Sequence, residues 1–262
     1  MNKMMRFSKR LLFVLVLAGL WMSACAPKPA ADPVEPTPRP TATATPKPTP
    51  KPTATATPNA TATAEAEWAA YLETRLKDIE PDLTSYGYTL ADGRLIWTYE
   101  DPIDVTVKEY NMSIYQKLDA PKTGNFILQT KITWNTSSGL AGCGIYFRQE
   151  AEKEDGAANQ FVLNRLLNAP GWYISFYDLG QWQRNLTEYV YSNSIDDRND
   201  ATNIVALVVN GRNISPYING KKQRLVEDIT LKDGLFALSA SQESGVSTCT
   251  FSDTWIWAID KP

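Results

Sequence analysis

Residues 160–191 mix hydrogen-bonding side chains with flat aromatic ones: Asn164, Arg165, Trp172, Tyr173, Tyr177, Asp178, Trp182, Gln183, Arg184 and Tyr189. This combination suits a saccharide. A sugar ring offers an apolar C–H face to an aromatic ring and hydroxyls to amides, carboxylates and guanidinium groups. Alternation in WYISFYD (172–178) sends Trp172, Ile174 and Phe176 to one face and Tyr173, Ser175 and Tyr177 to the other. In GIYFR (144–148), Ile145 and Phe147 turn inward, while Tyr146 and Arg148 join the second face. Trp182 follows Gly180 in a turn and is expected to stand exposed. The candidate ligand-contact residues are therefore Tyr146, Arg148, Asn164, Tyr173, Tyr177 and Trp182. Core packing is the competing reading of any strand Trp or Tyr, and it is the expected one for Trp134, Trp255 and Trp257.

Other chemistries are poorly supplied. The chain contains no histidine, which removes the commonest general base and zinc ligand. The acids cluster in loop-like stretches, Glu150-Ala-Glu-Lys-Glu-Asp155 and Asp196-Asp197-Arg-Asn-Asp200, where a solvated acidic loop is the simplest reading. Asp196, Asp197 and Asp200 are the candidate oxygen ligands for a hard cation such as Ca²⁺, without forming an EF-hand loop. No other cofactor is expected. The formal net charge is −3 although the N-terminal region is basic, so the remainder is acidic. That argues against a nucleic-acid partner, which would need clustered Lys and Arg.

The three cysteines divide into one and two. Lys3, Arg6, Lys9 and Arg10 precede an apolar run, LLFVLVLAGLWM (11–22), and then Ser23, Ala24 and Cys25. A basic start, a short apolar stretch and small residues before a cut describe an export signal. The run is shorter than the ~20 residues of a spanning helix, though an uncleaved anchor is the alternative. Met22-Ser23-Ala24-Cys25 resembles the lipobox of bacterial lipoproteins, with Met in place of the usual Leu. The resemblance implies cleavage before Cys25 and acylation of that residue, since several acyl chains anchor stably where one does not. The expected location is the cell membrane, lipid-anchored, on the extracytoplasmic face. Cys143 and Cys249 remain, and an exported chain with an even remainder invites a disulfide between them. Two buried thiols are the alternative.

These residues need elements to hold them. Residues 25–64 are nearly all Pro, Thr and Ala, and such a segment cannot bury enough surface to offset its ordering entropy. It is expected to be a disordered stalk biased to polyproline II, reaching on the order of 100 Å if extended. A helix is predicted over 65–82, with Trp68, Leu72, Leu76 and Ile79 on one face and Pro81 as its stop. Beyond residue 83 the period is two. Runs at 94–99, 110–116, 125–134, 144–148, 160–166, 172–178, 203–209, 214–218, 235–240 and 248–259 are rich in β-branched and aromatic residues. Asn210-Gly211 and Asn219-Gly220 read as type I′ hairpins and predict a meander from 203 to about 226. Pro216 in its middle run demands an edge or a bulge. The expected fold is all-β, a two-sheet antiparallel jelly-roll sandwich over 83–262 with one N-terminal helix, behind a signal peptide at 1–24.

The order GIYFR, QFVLNRLLNAPGWYISFYDLGQWQRNL, NIVALVVNGRNISPYINGKKQRLVED, DGLFALSA and CTFSDTWIW resembles the concanavalin A-like lectin/glucanase jelly roll, in its laminin-G-like and 3-keto-disaccharide-hydrolase-like branches. Asn203, Gly211 and Asn219-Gly220 fill one of the phrases shared by those domains. The resemblance covers roughly residues 120–260 and implies two curved antiparallel sheets, one with a face that often holds sugars. The glucanases of this fold place paired carboxylates on one strand as E-x-D-x-x-E, the arrangement glycoside cleavage requires, and no such triplet exists here. The expected function is a membrane-anchored, non-catalytic module that binds a polysaccharide or glycan. A glycoside hydrolase of the same fold and a protein-interaction or adhesion module are the alternatives.

Overall fold

The period-two pattern beyond residue 92 folds into fifteen strands in a computed structural model, which describes residues 60–260 apart from 110–112, 138, 151–155, 167–168 and 179. The signal, Cys25 and most of the stalk fall outside the described residues. Helix α1 (Ala60–Ser85) and a 3₁₀ turn (Leu90–Asp92) come first. The strands are β1 (Gly93–Tyr99), β2 (Ile103–Val107), β3 (Ser113–Lys117), β4 (Phe126–Thr136), β5 (Leu140–Gln149), β6 (Ala158–Leu166), β7 (Gly171–Asp178) and β8 (Gln181–Asn185). They continue as β9 (Val190–Tyr191), β10 (Thr202–Asn210), β11 (Asn213–Ile218), β12 (Lys221–Lys222), β13 (Val226–Glu227), β14 (Leu235–Gln242) and β15 (Ser247–Ile259).

Two antiparallel sheets form a jelly-roll sandwich. The first runs β1-β15-β4-β10-β11-β12, with β2 also on β15 and β13 also on β11. The second runs β3-β14-β5-β6-β7-β8, with β9 also on β7. Alternate residues of both sheets fill the space between them, including Phe126, Leu128, Trp134, Phe147, Phe161, Trp172, Leu207, Phe236 and Phe251, all buried. A disulfide joins Cys143 on β5 to Cys249 on β15, across the sandwich, with Cα atoms 5.6 Å apart. Stacked sheets usually lie ~10 Å apart, so the bridge sits where the two layers come close.

The meander from β10 to β12 forms, with one difference in its turns. Asn219 and Gly220 both take positive φ, 50° and 75°, as a type I′ turn requires. At the other hairpin Asn210 is the last paired residue, opposite Asn213, and Gly211-Arg212 form the turn with only Gly211 at positive φ. Pro216 is accommodated at an edge. Its carbonyl accepts from Gln223 N at 2.9 Å on the side away from β10. A strand residue's N–H and C=O point the same way, so the missing donor also faces that edge, covered only by the two-residue strands β12 and β13.

Helix α1 packs on the outer face of the first sheet. Ile79, Leu83 and Tyr86 are buried against Ile127, Ala206, Val208, Tyr217, Trp255, Trp257 and Ile259. Trp255 and Trp257 are thus core residues under the helix rather than between the sheets. Three expectations fail here. The helix does not stop at Pro81 but continues to Ser85. Proline removes one helical hydrogen bond, yet the turn beyond it carries Leu83, fully buried, and that burial outweighs the loss. Nor does Trp68 join the buried face. It is 55% exposed and stacks on Tyr71, while the buried stripe runs Arg75, Ile79, Leu83, Tyr86. The helix N-terminus at Ala60 also reaches into the stretch expected to be stalk.

Candidate functional site

Helix α1 covers part of the first sheet's outer face, while the outer face of the second sheet carries the candidate residues. Its side chains follow from register, since directly opposite residues share a face. Tyr146 on β5 lies opposite Gln160 on β6, which lies opposite Ser175 on β7 and then Asn185 on β8. The next row outward is Tyr115, Ser239, Gly144, Val162 and Tyr173. The third contains Ser241, Gly142, Asn164 and Gly171. Small residues make the middle of the face a floor. A β-carbon at Gly144 would run into Ser239 Oγ, and one at Gly142 would lie 2.8 Å from Ser241 Oγ. Large rings stand around that floor.

Those rings form a diagonal across the sheet. Tyr115 meets Tyr146 edge-on at 5.7 Å between centroids, and Tyr146 meets Tyr177 likewise at 5.7 Å. Tyr177 pairs in register with Trp182 on β8. Together Tyr115, Tyr146, Gln149, Ala158 and Tyr177 line a cleft of about 170 Å³. Trp182 is the most open of the rings, 57% exposed. Its indole N–H donates to Asn185 Oδ1 at 2.9 Å, and Ser175 Oγ donates to the same oxygen at 2.8 Å. The indole is therefore held in place with its polar atom already satisfied, and it offers solvent an apolar ring face.

The structure brings Tyr146, Asn164, Tyr173, Tyr177 and Trp182 onto one face. Tyr173 is half-buried beside Asn164. Burial pushes its phenol up to about 12, and the Tyr177 and Tyr189 phenols add to the rise. Asn164 is itself buried, and its Oδ1 has no protein partner. Burying such an oxygen unpaired costs free energy.

Arg148 does not belong to the set. Alternation places it beside Tyr146, but its backbone takes φ 53° and the β5–β14 register shifts nearby. The side chain is turned inward and only 1% exposed. Its guanidinium donates to Gly124 O from Nε (3.1 Å) and Nη2 (2.7 Å), to Gly211 O (2.5 Å) and to Leu231 O (3.1 Å). Burial lowers its pKa, opposed by the charges of Asp228 and Asp233. Arg148 ties three loops together and lines a separate cavity with Asp228 and Lys232 instead of the tyrosine face.

Two of the three aspartates that could hold Ca²⁺, Asp196 and Asp200, have protein partners. Asp196 pairs with Arg198 at 2.5 Å, and those hydrogen bonds draw its carboxyl down to about 2. Asp200 accepts from Asn135 Nδ2 at 2.7 Å. Among the described residues no group of three acids or cysteines is close enough together to hold a metal.

Residue reading missed several members of the face: Tyr115, Gln160, Asn185 and Ser239. Tyr115 lay in a recognised strand, but its place beside Tyr146 depends on β3 pairing with β14 at the sheet edge, which no local pattern encodes. The Gly142-x-Gly144 spacing was a usable signal, since alternate glycines on a strand mark a bare face.

A two-sheet antiparallel jelly roll with one helix-covered face and one open, tyrosine-lined face is the class these observations define. No protein-family model matches the chain, and no curated protein matches it. Among solved structures it is similar to the carbohydrate-binding module CBM66 from Bacillus subtilis, at 12% identity and TM-score 0.46 over 64% of this chain and 96% of that one. It is also similar to a Bacillus licheniformis beta-glucanase (10% identity, TM-score 0.43, 61% and 78% coverage). A third likeness is the Caenorhabditis elegans galectin LEC-6 (14%, 0.36, 59% and 92%). All three scores are below 0.5, so the fold assignment rests on the strand order above.

Proposed function

We propose that this chain is a glycan-binding module, non-catalytic, held at the extracytoplasmic face of a membrane by lipid on Cys25. One observation carries the binding half: the diagonal Tyr115–Tyr146–Tyr177–Trp182, set beside amides and hydroxyls on the sheet face that the helix leaves open. Flat rings next to hydrogen-bonding groups match the two-sided chemistry of a sugar ring. Binding is favoured over hydrolysis because the outward positions on the central strands β5, β6, β7 and β14 carry no carboxylate, and glycoside cleavage uses two. The anchoring half rests on the lipobox-like Met22–Cys25.

The test is a glycan array probed with the mature chain, followed by calorimetry on the best soluble oligosaccharide. Stacking on Trp182 would cover some ~60 Å² of apolar ring, about 1.5 kcal/mol or roughly tenfold in affinity. The pair Tyr177→Ala with Trp182→Ala is expected to weaken binding roughly 50-fold or more while leaving the melting temperature nearly unchanged. Unaltered affinity in the double variant refutes the site. Retention of a protein partner with no glycan bound would favour an adhesion module. Cys25→Ser is expected to abolish incorporation of labelled fatty acid, and equal labelling refutes the anchor.

A further inference from the structure

One surface cavity lies away from the tyrosine face. It has a volume of about 430 Å³ and lies on the opposite sheet, where the chain leaving α1 passes over β10 and β11. Small-ligand sites commonly run from ~300 to ~1,000 Å³. Tyr217 and Val208 make its floor and Tyr88 and Leu225 its sides, with Leu225 47% exposed. Tyr217 is fixed by Tyr86, centroids 4.7 Å apart, and Tyr88 Oη accepts from Asn210 Nδ2 at 3.4 Å. The polar lining is Asn210, Asn213, Ser215 and Lys222. No carboxylate lines the cavity, and no ion pair among the described residues involves Lys222. Glu227, opposite Asn213 on β13, is by contrast paired with Arg212 at 3.2 Å.

We infer that this cavity is a second binding site, for a sugar acid such as a hexuronate, independent of the glycan reading of the tyrosine face. The cavity supplies each element such a ligand needs. The ring's C–H side rests on Tyr88 and Leu225, the hydroxyls bond the amides of Asn210 and Asn213 and the hydroxyl of Ser215, and the carboxylate meets the Lys222 ammonium. A charge-assisted bond to an ammonium is about twice as strong as a neutral one, so the uncharged analogue should bind much less well. Two sites on opposite sheets would let one module engage two polysaccharide strands at once.

The experiment titrates the mature full chain with tri-galacturonate and with its fully methyl-esterified form, which lacks the charge and carries one added methyl per ring. The acid trimer is expected to bind saturably and the ester at least tenfold more weakly. Lys222→Gln and Asn213→Ala are both exposed, fold-neutral changes, and each should weaken the acid trimer, Lys222→Gln by about tenfold. The pair Tyr177→Ala with Trp182→Ala should leave this binding intact, so failure here is distinct from failure on the other face. The inference is overturned by no saturable binding of the acid trimer, by equal binding of the ester, or by loss in the tyrosine-face variant with none in Lys222→Gln.

Discussion

Leu83→Ala isolates the contact that decides which sheet face stays open. Leu83 is fully buried among Ile79, Tyr86, Trp255 and Trp257, on the far side of Pro81. Truncating a buried leucine costs about 2–5 kcal/mol, and in a domain of this size each kcal/mol moves the melting temperature by roughly 2–4 °C. A drop of about 4–20 °C is therefore expected if the whole domain melts as one unit. If the helix releases first, the loss is capped at the docking free energy. Trp255 and Trp257, 1% and 2% exposed, then become hydrated, and tryptophan emission shifts to the red before the main transition. Thermal melts followed by circular dichroism and by fluorescence separate the two. Glu80→Ala, on the exposed side of the same helix, is the control. Equal melting temperatures for Leu83→Ala and Glu80→Ala, with unshifted emission, would show that α1 does not cover this sheet.

Three further outcomes follow from the same geometry. Arg148→Ala should destabilise by about 3 kcal/mol or more, because it removes the charged hydrogen bonds that the buried guanidinium donates to the carbonyls of Gly124, Gly211 and Leu231. Glycan affinity of the folded fraction should not change, and a loss of affinity at unchanged stability would return Arg148 to the site. Replacing Cys143 and Cys249 by Ser removes a link spanning 106 residues and should cost about 2–5 kcal/mol in a urea titration, whereas coincident curves would show that the bridge does not constrain the chain. For acid stability, burial opposes ionisation of both Asp253 and Asp228. Bonds from Lys131 and Arg75 to the first outweigh it, as do those from Asn159, Thr230 and Leu231 to the second, so both folded pKa values lie below 3.8. Their contribution is complete above the unfolded value and lost as pH falls through the folded ones. The melting temperature should hold near neutrality and decline below about pH 4, less steeply in Asp253→Asn, and an identical profile in that variant would refute its part.

The strands of the sandwich were legible because most carry a strong two-residue alternation, as in WYISFYD and NIVALVV. Those that escaped are short. QWQRN forms β8 with every residue exposed, an edge strand held by pairing to β7 rather than by burial. IDVTV forms β2 beside β15, short and preceded by Pro102. Alternation also explains the partial legibility of the site. It put Tyr146, Tyr173 and Tyr177 on one face, but it assumes an unbroken strand, and a residue at positive φ sends Arg148 the other way. Pro81 misled for a related reason: a local rule about helix ends gave way to the tertiary burial of Leu83 two residues later.

The claim that matters most is that a sugar rests on the rings of the second sheet. Nuclear magnetic resonance of the labelled chain, titrated with the tightest array oligosaccharide, reads it directly. The account predicts progressive shifts confined to the Trp182 indole and to the Tyr115, Tyr146, Tyr173 and Tyr177 signals, with the Trp255 and Trp257 indoles unmoved. Shifts centred on any other surface, or a saturating ligand that leaves the Trp182 indole where it was, would contradict it.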